Sequence, residues 1–263
     1  MTASTSLSQS GNGQPTRGCY VYGVVPADVE VTDAARGIGD PPASVRLVRH
    51  DDIAALVSEI SVEGPLGRPE DLVAHEQLLD ATVTVAPVLP MRFGAVMASP
   101  EAVEDELLAP HQDQFRAALE ELDGLAEFVV KGRYDQQALL SEILDEIPEA
   151  ARLREEIRGT DEDATRPQRI RLGEIINQAV TVRRDADTQY VVEVLEPLCE
   201  ATVVRDPTHE EDAAHVALLV RMEEQPELER ALEELAGEWE GRVNLRLLGP
   251  LAPYDFMTGR GGG

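Results

Sequence analysis

Residues 19–25 begin the patterned part of the chain: Tyr20, Tyr22 and Val24 alternate with Val21 and Val25 until Pro26 stops the run, which predicts a short strand. A loop containing Gly37, Gly39, Pro41 and Pro42 follows. Residues 45–50 and 53–60 are two β-rich runs flanking Asp51-Asp52, the spacing of an antiparallel hairpin. Pro69 then opens a helical pattern with Leu72, His75, Leu79 and Val83 on one stripe, and with Glu70 and Asp71 in the first turn, where the helix dipole favours acids. Ser99-Pro100-Glu101 reads as a cap followed by proline at the first helical position, and Val103, Leu107, Phe115, Leu119 and Leu122 hold helical spacing beyond it. Pro110 should kink or split that helix. Residues 125–134 are β-rich and are expected to return to the first sheet, closing an N-terminal α+β domain over residues 19–135.

The second half predicts another α+β domain, over residues 136–258. Residues 136–159 are helical in pattern, 160–165 read as an exposed acidic loop, and a long helix follows. Its stripe is Leu172, Ile175, Ile176, Ala179, Val182, Ala186, Tyr190, Val194 and Leu198, ended by Pro197 and a β-branched run. Residues 202–205 and 216–222 read as strands. Pro226 introduces a helix with Leu228, Ala231, Leu232, Leu235 and Trp239 on one face. Val243, Leu245 and Leu247 alternate with Arg242, Asn244 and Arg246 in a last strand. Strand, strand, helix, strand predicts an antiparallel sheet covered by helices, the long one included.

Two segments depart from these periodicities, Val88-Leu89-Pro90-Met91-Arg92-Phe93-Gly94 and Gly249-Pro250-Leu251-Ala252-Pro253-Tyr254-Asp255-Phe256. Each is apolar and aromatic, with a backbone set by proline and glycine, so each reads as a shaped turn presenting side chains. A fixed backbone lowers the entropy lost when Met91, Arg92, Phe93, Tyr254 and Phe256 engage a partner. The same Met, Phe and Tyr residues would serve equally as core beside a turn, and sequence alone leaves both readings open.

Composition narrows the functional classes. The chain has 263 residues, 43% of them hydrophobic, enough for a substantial core. Fifty acidic against 23 basic residues give a net charge of −27, which repels nucleic acid and anionic lipid surfaces, so neither is an expected partner. Lys131 is the only lysine, which we read as coding bias toward arginine. Cys19 and Cys199 stand alone and are expected as free thiols in a reducing cytoplasm. Residues 1–18 are polar, lack the charged and apolar regions of a secretory signal, and are expected to form a disordered tail, as are residues 259–263 a flexible one. No apolar run approaches the roughly 20 residues that cross a bilayer.

Candidate chemistry is sparse. His75-Glu76-Gln77-Leu78-Leu79 lacks the second histidine of a helical zinc site, and His75 and His111, each on an apolar stripe, read as packing residues. His209 and His215 flank Glu210, Glu211 and Asp212, which reads as a solvated loop rather than a metal site. No GxSxG is present, and Gly37-Ile38-Gly39 precedes prolines rather than a helix, so neither a nucleophile elbow nor a dinucleotide cradle is indicated. We expect no catalytic residue, cofactor or metal.

The opening strand, the Leu89-Pro90-Met91-Arg92-Phe93-Gly94 segment, Arg171-Leu172-Gly173-Glu174 at the head of the long helix, and the closing Gly249 to Phe256 motif occur in that order. Together they resemble the gas vesicle protein GvpF/GvpL family over nearly the whole chain. Leu251-Ala252 stands where that family usually has Trp-Pro, while Pro253, Tyr254 and Phe256 match. The resemblance implies two α+β domains, the first a modified ferredoxin-like fold, and no enzymatic activity. It implies an accessory protein of gas vesicle assembly, in the cytoplasm and at the gas vesicle, contacting the hydrophobic shell protein GvpA and other accessory proteins. A minor structural component of the shell is the alternative it allows.

Overall fold

A computed structural model describes residues 17–61 and 67–257. These form a mixed helix and strand fold with two antiparallel sheets and a long helix. The chain divides into two compact units, one from Met1–Leu79 with Pro90–Ala117, the other from Asp80–Leu89 with Ala118–Gly263.

The first sheet contains β1 (Arg17–Pro26), β2 (Arg46–His50), β3 (Ile53–Ser61), β4 (Leu89–Pro90) and β5 (Val96–Met97), in the order β2-β3-β1-β4, with β5 also paired to β1. β1 is central and buried from Gly18 to Val25, so its near-continuous apolar run serves two covered faces rather than one. β2 and β3 form the expected hairpin, His50 opposite Ile53, with Asp51 in the left-handed region at φ 48°. The strand starts earlier than Cys19: Arg17 and Gly18 belong to β1, and the rest of the expected N-terminal tail, like residues 259–263, lies outside the described residues.

Helix α1 (Pro69–Val83) buries His75, Leu79 and Val83 as its stripe requires, but Leu72 is exposed. Its first turn is fastened by the buried Asp71, whose carboxylate accepts hydrogen bonds from Arg68 and from the Gly39 amide. The next helical stretch runs through α2 (Pro100–Ala102), a π-helical segment (Val103–Leu108) and α3 (Ala109–Glu121). Pro110 has no N–H, and its ring crowds the carbonyl four residues back. The helix adjusts just before it, with the Ala109 amide donating five residues back to Glu104. His111 is exposed there, its ring beside that of Phe115 on the same helix.

The second sheet corrects the reading of residues 125–134. β6 (Leu125–Tyr134) does not return to the first sheet; it is a central strand of the second, between β8 (Asp212–Arg221) and β9 (Val243–Leu251), with β7 (Ala201–Val204) at the edge. A boundary at residue 135 would therefore divide this sheet. From β6 the chain passes through α4 (Gln136–Glu146), α5 (Pro148–Ile157) and α6 (Arg166–Leu195) to the β7–β8 hairpin, then through α7 (Gln225–Glu238) to β9. The order from β6 to β9 is therefore one strand, three helices, two strands, one helix and a last strand. In the first sheet, by contrast, three strands precede the first helix.

α6 changes its buried face along its 30 residues. Leu172 and Ile175 pack with Ala150 and Leu153 of α5, while Val191 and Leu195 are buried further on, where the helix lies against β8. Sixteen residues at about 100° each place Val191 some 160° around the helix from Ile175. Val182 and Tyr190, expected on one continuous stripe, are consequently exposed.

Candidate functional site

The Leu89 to Gly94 segment is tied to β1 and α1 by a run of polar contacts. The Met91 amide donates to the Tyr22 carbonyl at 2.8 Å, and the Gly94 amide donates to the Tyr20 hydroxyl at 3.1 Å. His75 of α1 sits between, its Nδ1 2.9 Å from the Tyr20 hydroxyl and its Nε2 3.2 Å from the Met91 carbonyl. The Phe93 ring packs edge-on against Tyr20 and His75, at centroid distances of 6.0 and 5.6 Å. Tyr22 is held in turn: its hydroxyl donates to Ser58 and accepts the Ile38 amide. Met91 and Phe93 are half-buried and Arg92 is exposed. Burial pushes the Tyr20 hydroxyl up to about 12 and His75 below the ordinary imidazole value.

The closing motif has its own anchor. β9 continues through Gly249 and Pro250 to Leu251, which pairs with Glu127 of β6, and Tyr254–Phe256 make one 3₁₀ turn. Glu127 is 1% exposed. Its Oε1 accepts from Arg205 at 2.7 Å and its Oε2 from the Asp255 amide at 3.0 Å, while Arg205 Nε donates to the Asp255 carboxylate. The Ala252 amide donates to Asp80 Oδ1 at 2.9 Å. His215 lies beside Arg205, and burial depresses its pKa. Burial likewise raises the Glu127 carboxyl to about 7, with the Asp255 carboxylate adding to the rise and Arg205 opposing it. Tyr254 and Phe256 are half-buried.

The other candidates resolve into structural roles. The Asp212 carboxylate accepts from the amides of Thr208 and His209 and from the Thr208 hydroxyl, which closes the loop before β8. A cleft beside it is lined by Ile176, Val180, Arg184 and His209, and the Arg184 guanidinium there is committed to the carbonyls of Glu210 and Asp212. Burial pushes both thiols up, Cys19 to about 11 and Cys199 to about 12, away from nucleophilic use. No helix among the described residues is long and apolar enough to cross a membrane.

Residues 18–258 match the family model described as gas vesicle synthesis protein GvpL/GvpF. The chain belongs to the GvpL/GvpF family. It is 33% identical to gas vesicle protein F of Streptomyces sp. (strain CB03234), over 90% of this chain and 98% of that protein. It is 38% identical to gas vesicle protein L of the same strain, over 43% of this chain and 46% of that protein. The crystal structure of GvpF from Anabaena sp. PCC7120 superposes with a TM-score of 0.74 at 26% identity, covering 91% of this chain and 97% of that one.

In this GvpL/GvpF member the motif residues are legible in sequence, but what holds them is not. His75 reads as packing, and it is buried, yet both its ring nitrogens are engaged. Glu127, Arg205 and Asp80 carry no motif at all. A lone acid inside the apolar run Leu125-Ala126-Glu127-Phe128-Val129-Val130 was the available signal, because a carboxylate in a covered strand needs a partner.

Proposed function

We propose that the chain is a non-enzymatic accessory protein that nucleates or assists gas vesicle assembly by binding the hydrophobic shell protein GvpA and other accessory proteins. The observation that carries this reading is the build of the two motif segments. Each offers half-exposed apolar side chains, Met91 and Phe93 in one and Tyr254 and Phe256 in the other, on a backbone fixed from below by buried polar groups. Such a surface engages an apolar partner with little ordering cost. A shell subunit is apolar and prone to aggregate; a chain of net charge −27 with limited apolar contact area can hold it while repelling further association.

The test is capture of co-expressed GvpA by Phe93→Ala and Tyr254→Ala variants whose circular dichroism matches the parent. Capture reduced at least about tenfold, the equivalent of about 1.4 kcal/mol, supports the reading. Full capture by both variants removes these residues from it. Fractionation separates an assembly factor, found in the cytoplasm with unassembled shell protein, from a minor shell component, retained in washed vesicles at fixed stoichiometry.

A further inference from the structure

His75 is 1% exposed, and the protonation state of its ring follows from its partners. A carbonyl oxygen only accepts, so the contact with Met91 places a proton on Nε2. With the proton on Nε2, a neutral ring has Nδ1 as its acceptor, and the Tyr20 hydroxyl, which accepts the Gly94 amide, donates its own proton there. The result is a directional chain: Gly94 N–H to Tyr20, Tyr20 O–H to His75, and His75 Nε2–H to the Met91 carbonyl. It starts and ends on the backbone of one segment and passes through β1 and α1. A second proton on the imidazole would turn the 2.9 Å contact round, making Tyr20 the acceptor and swinging its own proton away from the ring. The rings of Tyr20 and Tyr22 of β1 pack against the imidazole; Asp71, one turn earlier on its own helix, has its carboxylate committed to Arg68 and Gly39, and Arg92 of the segment is exposed.

We infer that His75, as a neutral imidazole, is the positioning residue of the first contact segment: it fixes the backbone course of residues 91–94 and so the presentation of Met91, Arg92 and Phe93 to the shell protein. This rests on those residues being partner contacts. Phe93 adds a packing link, since its ring lies edge-on to the same imidazole. Because the chain as it stands uses Nδ1 as an acceptor, protonating the ring reverses its link to Tyr20; acidification therefore loosens the segment, and capture of the shell protein falls as pH falls while the sheet beneath is retained.

Two readouts test it. Amide hydrogen exchange over residues 89–94, referenced to β6 in the same molecule, reports the segment directly. Capture of co-expressed GvpA at about pH 7.5 and pH 5.5 reports its use. His75→Phe keeps a ring but loses both hydrogen bonds, and it should raise exchange at Met91 and Gly94 about tenfold or more and lower capture to the level of Phe93→Ala. His75→Gln, which has a donor and an acceptor but does not titrate, should restore part of the capture and abolish its loss between the two pH values. Unchanged exchange in His75→Phe, or the same pH dependence in His75→Gln as in the parent, overturns the inference. Full capture by His75→Phe with lost capture by Phe93→Ala overturns it while leaving the partner reading intact. Full capture by Phe93→Ala instead removes the partner reading, and the exchange result alone then decides whether His75 positions the segment. Should His75→Phe not fold, His75→Gln and the parent's pH dependence still decide.

Discussion

Both carboxylate oxygens of Glu127 are occupied, one by Arg205 and one by the Asp255 amide, yet burial carries its pKa from 4.5 to about 7. An acid that is weaker in the folded state binds more protons folded than unfolded between those two values. The stability it contributes is therefore complete below its unfolded pKa and is lost as pH rises through about 7, a change of about 3 kcal/mol. Glu127→Gln resembles the protonated form and should flatten this part of the fall, measured as urea unfolding free energy at about pH 5, 6.5 and 8. A fall parallel to the parent's would show Glu127 ionised throughout. His215, whose pKa burial depresses, works in the opposite sense: it contributes stability above the ordinary imidazole range and loses it as pH falls through its folded pKa, so only the difference between variant and parent isolates Glu127. The two motif glycines separate backbone strain from steric fit. At Gly249, with φ 143°, a Cβ would stand 2.5 Å from Phe128 Cδ1 and 3.0 Å from the Glu127 carbonyl, whereas at Gly94, with φ 93°, it would meet nothing within 4 Å. Gly94→Ala should cost about 1 kcal/mol from strain alone, and Gly249→Ala at least about 3 kcal/mol, because the buried Phe128 must also move. Equal costs in chemical denaturation would refute the contrast.

At the scale of elements, α6 shows where periodicity stops being informative. Its apolar positions continue at helical spacing through Val182, but its cover is α5 in the first half and β8 in the second, and no local pattern encodes a change of neighbour. Ile175→Ala should cost about 2–4 kcal/mol by emptying the contact with Ala150 and Leu153, whereas Val182→Ala, at a site 62% exposed, should stay within about 0.5 kcal/mol. Thermal unfolding of the two variants checks the assignment, and a reversed order would restore the single stripe. The same limit explains β6. Its run from Leu125 to Val130 is buried throughout, which identifies a covered strand but gives no face and hence no register, and its neighbours β8 and β9 lie some 80 to 120 residues later. Proline, glycine and aromatic residues made the two motif segments readable because their conformational effect is local. Their anchors were unreadable for the opposite reason: Tyr20 and His75 are 55 residues apart, and Glu127 and Asp255 are 128 apart.

For the whole molecule, charge dominates what salt should do. Were every one of the 23 arginines and lysines paired with a different acid, 27 acidic residues would still be uncompensated. The ion pairs among the described residues are mostly exposed, as in Arg17–Glu59, Arg152–Glu156 and Arg158–Glu155, and such pairs are each worth about 0–1 kcal/mol and are themselves screened. Added salt therefore weakens a diffuse repulsion more than it weakens attraction, and the folded state, which crowds the acids together, gains relative to the unfolded chain. Raising sodium chloride from about 0.02 M to 0.5 M should raise the melting temperature by roughly 3–10 °C, with most of the gain below about 0.15 M, where the screening length has already shortened to about 8 Å. Differential scanning calorimetry at fixed pH measures this. A melting temperature that falls with salt would mean that the exposed pairs outweigh the excess of acids, and the charged surface would then be holding the fold together rather than opposing it.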